Sequence, residues 1–129
     1  MHSCSSCATP VQKGDKLSKS QCPQNDNDRV EMKKISYASV VGSLMYAQVC
    51  THPDIAFHVN ALGRYLSDPG LDHWKDVKKV FRYLQGTKDH VLTFEKSDQL
   101  QVIGYSDSDF VGCPDDWKST SGFIFMMAG

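Results

Sequence analysis

The feature that most constrains the fold is a change of period at Gly86. Before it, apolar residues recur at helical spacing through three consecutive segments. After it, "HVLTFE", "LQVIGYSD" and "SGFIFMMA" are rich in Val, Ile, Thr, Phe and Tyr, and "KSDQ" and "GCPDDWKS" separate them as turns. Helices first and strands second suit either an α+β domain or a junction where one module ends and another begins. The 129 residues are enough for one ordinary domain, and 40% of them are apolar, enough to build a core.

The helical signals are local. Residues 1–27 are rich in Ser, Gln, Asn, Lys and Cys with few large apolar side chains, so they should form a mobile arm. Asp28 with Glu31 has capping-box spacing and predicts a short helical turn at "DRVEMKK". Ser36 can cap a helix over Tyr37–Cys50 that is apolar nearly all round, the mark of a buried helix. "THPD" reads as a start signal, with Thr51 as cap, Pro53 in the first turn and Asp54 on the positive end of the dipole. The helix after it carries Ile55, Val59, Leu62 and Leu66 on one stripe. Pro69 and Gly70 form a type II turn pair, and Gly86 is placed to end the next helix in the left-handed conformation. The expected core is Val41, Leu44, Ile55, Val59, Leu62, Trp74, Val77 and Phe81.

The net charge of −1 argues against a chain wholly devoted to nucleic acid, but it hides a segregation. Leu71–His90 carries five Lys or Arg against three acids, whereas Val91–Gly129 carries six acids against two lysines. No apolar run approaches the roughly 18 residues needed to cross a bilayer, so no membrane role is expected. The N-terminus lacks the apolar core of a signal peptide, and five cysteines, an odd number, fit a reducing compartment. Both point to an intracellular protein, cytoplasmic or nuclear.

Three constellations could carry chemistry. On the segment after Gly70, Lys75, Lys78, Lys79 and Arg82 fall at i, i+3, i+4 and i+7, a narrow cationic stripe opposite Trp74, Val77, Val80, Phe81 and Leu84. Such a stripe is either a solvated face relieved by Asp72 and Asp76, or a track for a polyanion whose counterions it displaces. In "GYSDSDFVG", Asp107 and Asp109 stand two apart in a strand-like run and would share a face. That is costly without a cation between them, and Mg²⁺ with its preference for oxygen ligands would suit. The alternative is an exposed edge or turn feature. A two-metal site would need further carboxylates, and Asp115 and Asp116 are the nearest. Lastly, His2, Cys4 and Cys7 make a partial zinc pattern that Cys22, or Cys50 and His52, would have to complete. No phosphate-binding glycine loop, nucleophile elbow or HExxH motif is present in the sequence.

Two long stretches carry a resemblance. "YASVVGSLMYAQVCTHPDIAFHVNALGRYLSDPGLDHWKDVKKVFRYLQGT" and "GYSDSDFVGCPDDWKSTSGFIF" resemble the Pol polyprotein of Ty1/copia-type LTR retrotransposons, with "VGSLMY", "PDIA", "HW", "RYLQGT" and "STSGF" agreeing in order and spacing. "CATPVQKGDKLSKSQCP" is a weaker upstream match. The resemblance implies an α+β architecture: a small helical bundle, reverse-transcriptase thumb/connection-like, over residues 28–90, then the first strands of a truncated ribonuclease H-like sheet over residues 91–129. It implies family activities of RNA-directed DNA polymerization and degradation of RNA in RNA/DNA hybrids, with an RNA/DNA template-primer as partner and Mg²⁺ as cofactor of the intact enzyme. Asp107 would match the first metal-binding carboxylate of ribonuclease H, and Asp109 an acidic position not clearly a ligand.

On this basis the isolated chain is expected to be no enzyme and to hold no cofactor of its own, with both active sites cut away and only weak, salt-sensitive nucleic-acid binding left. Self-association through an open sheet edge is a further expectation. The alternative is an adopted, non-catalytic helical module for protein interaction. More remotely, it could resemble copia-like chains called secreted effectors, although the sequence has no RxLR tetrad.

Overall fold

A computed structural model describes residues 9–10, 16–91, 101–109, 112–113 and 115–128. It is α+β and divides into two compact units, Met1–Asp89 and His90–Gly129. The first unit holds helices α1 (Asp26–Lys33), α2 (Tyr37–Cys50), α3 (Ala56–Gly63) and α4 (Leu71–Thr87), with 3₁₀ turns at Lys19–Gln21 and Pro53–Ile55. The second holds an antiparallel pair, β1 (Gln101–Ser108) and β2 (Ser121–Ala128). Of the strand expected at "HVLTFE" all but His90 and Val91, and the ligands His2, Cys4 and Cys7 of the zinc pattern, lie outside the described residues.

Several helix boundaries differ from the local signals, each for a visible reason. Asn25, not Asp28, caps α1: its side-chain oxygen accepts the Asp28 N–H at 2.8 Å. Asp28 then falls in the first turn with Asp26, where negative charge favours the positive end of the helix. Ser36 precedes α2 without making a side-chain cap. Thr51 closes α2 instead of opening the next helix, its N–H and hydroxyl both donating to Ala47 O at 3.0 and 3.4 Å. His52 takes the cap position of the Pro53–Ile55 turn. Although α2 is apolar nearly all round, it is not buried all round. Tyr37, Val41 and Leu44 face the core, while Tyr46 and Val49 are 75% and 80% exposed.

Pro69 and Gly70 do not make a type II turn, because Gly70 is extended (φ −101°, ψ 172°) and stands at the cap of α4. Its glycine is required by proximity. A Cβ there would lie 1.8 Å from the Gln21 carbonyl oxygen, so the Lys19–Gln21 turn is seated on the start of α4. The Gly70 N–H donates to Nδ1 of His73 at 2.9 Å, and the His73 ring stacks on Tyr65 at 4.2 Å and 16°. Gly86 does not terminate α4, which continues to Thr87.

The core of this unit is Val41, Leu44, Ile55, Val59, Leu62, Val77 and Val80, nearly all at zero exposure. Trp74 and Phe81 are only partly buried against it, and Leu66, assigned to the apolar stripe of α3, is 40% exposed while Tyr65 takes the inward place. α2 and α3 are tied by Tyr37 Oη, which donates to Leu62 O at 3.0 Å out of reach of water. Leu17, within the stretch read as an arm, contributes to the same core. Just after it, Ser18 caps the 3₁₀ turn, its backbone N–H donating in return to the Gln21 side chain at 3.0 Å.

In the second unit the register runs from Gln101 opposite Ala128 to Ser108 opposite Ser121, so β2 matches "SGFIFMMA" residue for residue. Every residue of β1 is exposed, and Phe123 and Phe125 stand out in a tilted pair with centroids 5.9 Å apart. Two strands alone cannot enclose an apolar layer. The connection is better held than the strands. Cys113 is buried, its backbone exchanges bonds with Lys118 and Trp117, and Trp117 adopts φ 58°, unusual for a bulky side chain.

Candidate nucleic-acid interface

The seventeen residues of α4 put Lys75, Lys78, Lys79 and Arg82 on one face and Val77 and Val80 on the other, as a 3.6-residue period requires. The four cations are not equivalent. Lys75 Nζ lies 2.7 Å from Asp72 Oδ1, and its hydrogen bond and charge hold the Asp72 carboxyl below the usual carboxylate range. Lys79 Nζ lies 2.6 Å from Asp76 Oδ1, and Asp76 is only 7% exposed, so this pair is drawn into the fold. Lys78 is exposed, and it and Arg82 have no carboxylate partner among the described residues. Along α4, two paired lysines therefore alternate with two cations that have no carboxylate partner among the described residues. Asp72 and Asp76 are as much part of this face as the lysines are.

Trp74, Lys78, Phe81, Arg82 and Gln85, all on α4, line one side of a pocket. Sequence reasoning assigned Trp74 and Phe81 to the core and so missed their second surface. Aromatic residues at i and i+7 bordering a basic stripe are the signal that could have found it. The far end of α4 is fixed by Tyr83, whose hydroxyl donates to Asp54 Oδ2 beside α3 and is pushed to a higher pKa by that bond and by burial. Asp54 belongs to "PDIA" and Tyr83 to "RYLQGT", so two of the family-like motifs meet in space.

The carboxylates Asp107, Asp109 and Asp116 each bond within the hairpin. β1 ends at Ser108, and Asp109 follows it directly, opposite Thr120. Asp107, opposite Gly122, accepts the N–H of Ser108 at 2.8 Å. Asp109 accepts the N–H of Thr120 and donates its own N–H to Thr120 O at 3.0 Å, closing the end of the ladder. Asp116 accepts from the Cys113 thiol and pairs with Lys118 at 2.9 Å, and these hold its carboxyl well below the usual range. Among the described residues, no three His, Cys, Asp or Glu side chains gather to hold a metal ion.

Comparison with known proteins adds what geometry alone does not. A retrovirus-related Pol polyprotein from transposon TNT 1-94 of Nicotiana tabacum is 45% identical over 122 residues, 95% of this chain. A retrovirus-related Pol polyprotein from transposon RE2 of Arabidopsis thaliana is 44% identical over 88 residues, 68% of this chain. The chain belongs to the Ty1/copia-type Pol polyprotein family. It spans only 9% and 6% of the length of those two relatives. Within the same similarity stands secreted RxLR effector protein 161 of Plasmopara viticola, 42% identical over 98 residues, 76% of this chain and 69% of the relative. No family model and no solved structure matches the chain. No helix among the described residues is long and apolar enough to cross a membrane.

Proposed function

We propose that this Ty1/copia Pol segment is the helical thumb/connection region running into the first ribonuclease H strands, and that its own work is non-catalytic contact with a nucleic-acid backbone through α4. The supporting observation is that Lys78 and Arg82, which have no carboxylate partner among the described residues, are carried with Lys75 and Lys79 on one face of a helix whose other face is fixed in the core. Lysine and arginine in this setting meet phosphates and carry no sequence information. In the intact polyprotein that backbone is the RNA/DNA template-primer. Polymerization and hybrid degradation belong to the whole protein, with Mg²⁺ supplied to carboxylates beyond Asp107 and Asp109.

Anisotropy of a labelled RNA/DNA hybrid at 50 and 200 mM salt tests the reading. Each phosphate neutralised adds about 0.9 to the log–log salt slope, so two effective cations weaken binding about 12-fold over this range, and four about 150-fold. Charge reversal at Lys78 and Arg82 should remove most of the binding. Affinity indifferent to salt, or unchanged by that reversal, refutes the proposal. The purified chain with Mg²⁺ should leave the hybrid intact, and cleavage abolished by Asp107→Asn would overturn the non-catalytic assignment.

A second reading is an adopted helical module for protein interaction; the Plasmopara viticola relative, more than two thirds of which this chain covers, supports its use as a short separate chain. Under it, both salt conditions give no hybrid binding, and charge reversal on α4 has no effect on association with a protein partner.

A further inference from the structure

Directly opposed residues of an antiparallel pair point the same way, and neighbours along a strand alternate. The register of β1 and β2 therefore puts Val102, Gly104 and Ser106 on one face with Met127, Phe125 and Phe123, and Ile103 and Tyr105 on the other with Met126 and Ile124. The two faces are not alike. On the first, Val102, Phe123, Phe125 and Met127 are 66–79% exposed, and the alternate residues down to Ser108 and Ser121 are all uncharged. On the second, the four apolar side chains are 39–59% exposed and Asp107 adds a charge. The ring of Phe125 leans over Gly104, where a Cβ would stand 2.8 Å from it, so the glycine lets the apolar layer of β2 extend across β1.

A contiguous exposed apolar layer of this kind marks a contact surface. At roughly 150–250 Å² for an aromatic side chain and somewhat less for Val and Met, the first face presents about 500–600 Å². Two such faces laid together withdraw about 1,000–1,200 Å² from water, the lower end of what a specific association needs. Charge narrows the choice of partner. A face without charge offers an acidic or basic partner no ion pair, whereas a second copy meets it with an identical uncharged layer at no electrostatic cost. We infer that the face of Val102, Phe123, Phe125 and Met127 is the contact between two copies of this chain, sheet packed on sheet about 10 Å apart. Pairing along strand edges could add copies without limit, but face-to-face packing about a two-fold axis closes at two. The contact invokes none of the α4 cations, so the dimer and the nucleic-acid proposal stand or fall separately.

Sedimentation equilibrium of the full 129-residue chain over about 1–300 μM should show the mass rise from one copy to two and stop there, with the micromolar affinity that an interface of this size supports. Methionine-methyl NMR of the unaltered sequence locates the contact. Met126 and Met127 are neighbours on opposite faces, so dilution should move the Met127 resonance and leave that of Met126 in place. Phe123→Ser should weaken the dimer at least about 5-fold, the loss expected of an aromatic anchor, while Tyr105→Ser on the opposite face should leave it unchanged. A mass of one copy at every concentration overturns the inference and gives the face to a different partner. Masses that climb past two copies, a Met126 resonance that moves while Met127 stays, or equal weakening by the two substitutions overturn it as well.

Discussion

Removing one oxygen atom, in Tyr37→Phe, tests how α2 is held to α3. Tyr37 is 3% exposed and its hydroxyl donates to Leu62 O at 3.0 Å. Leu62 O also accepts the Tyr65 N–H at 3.2 Å, so the substitution does not strand a buried carbonyl. The cost at pH 7 should be that of an ordinary net hydrogen bond, about 0.5–1.5 kcal/mol, and not the larger penalty of an unsatisfied group. The pH dependence is the sharper part. Burial, with the charge of Asp76 next, pushes the Tyr37 hydroxyl well above its ordinary 10.0. A group whose folded pKa is raised keeps its proton more firmly in the native state. Its stabilisation is complete below pH 10 and is lost as pH rises beyond that value, because the unfolded chain ionises first. The gap between wild type and Tyr37→Phe should therefore narrow above pH 10, by up to about 1.4 kcal/mol per pH unit, and then change sign. Urea unfolding of both proteins, followed by far-UV circular dichroism at pH 7, 10 and 11, measures it. Tyr83, also shifted upward, is common to both proteins and cancels. A gap that stays constant or widens with pH would refute the argument.

Gly70→Ala should lower stability by about 1–3 kcal/mol in thermal unfolding, because the Gln21 carbonyl already occupies the place of the new methyl group. Leu44→Ala, in the middle of the core, should cost about 2–5 kcal/mol in the same assay. A double-mutant cycle of Asp54→Asn and Tyr83→Phe should give a coupling of about 0.5–1.5 kcal/mol, and strictly additive effects would deny that the bond fixes α4. Phe123→Glu with Phe125→Glu should reduce self-association in sedimentation velocity, since both rings are exposed on β2.

The helix starts show where local signals mislead. Asp28 and Asn25 are both competent caps, and what separates them is one hydrogen bond made in the folded chain. Thr51 has the right chemistry to open a helix and spends it closing one, because α2 runs on until its Ala47 carbonyl needs a donor. Gly70 and Gly86 look alike as punctuation, yet the first is required by the approach of Gln21 and the second is carried inside α4. Identity of residue gave no means of telling these cases apart.

Read alone, the chain determined its order of helices and strands, the buried residues Val41, Leu44, Ile55, Val59, Leu62 and Val77, the cationic face of α4 and its family motifs. Each of these depends on spacing along one element, which periodicity records directly. Only the tertiary structure decided that Lys75 and Lys79 pair with Asp72 and Asp76 while Lys78 and Arg82 meet no carboxylate among the described residues, that Trp74 and Phe81 are only partly buried, and that Asp107 and Asp109 bond to the backbone of the hairpin. Those outcomes depend on which groups meet across elements and on what burial leaves exposed, and such proximity has no period in the sequence.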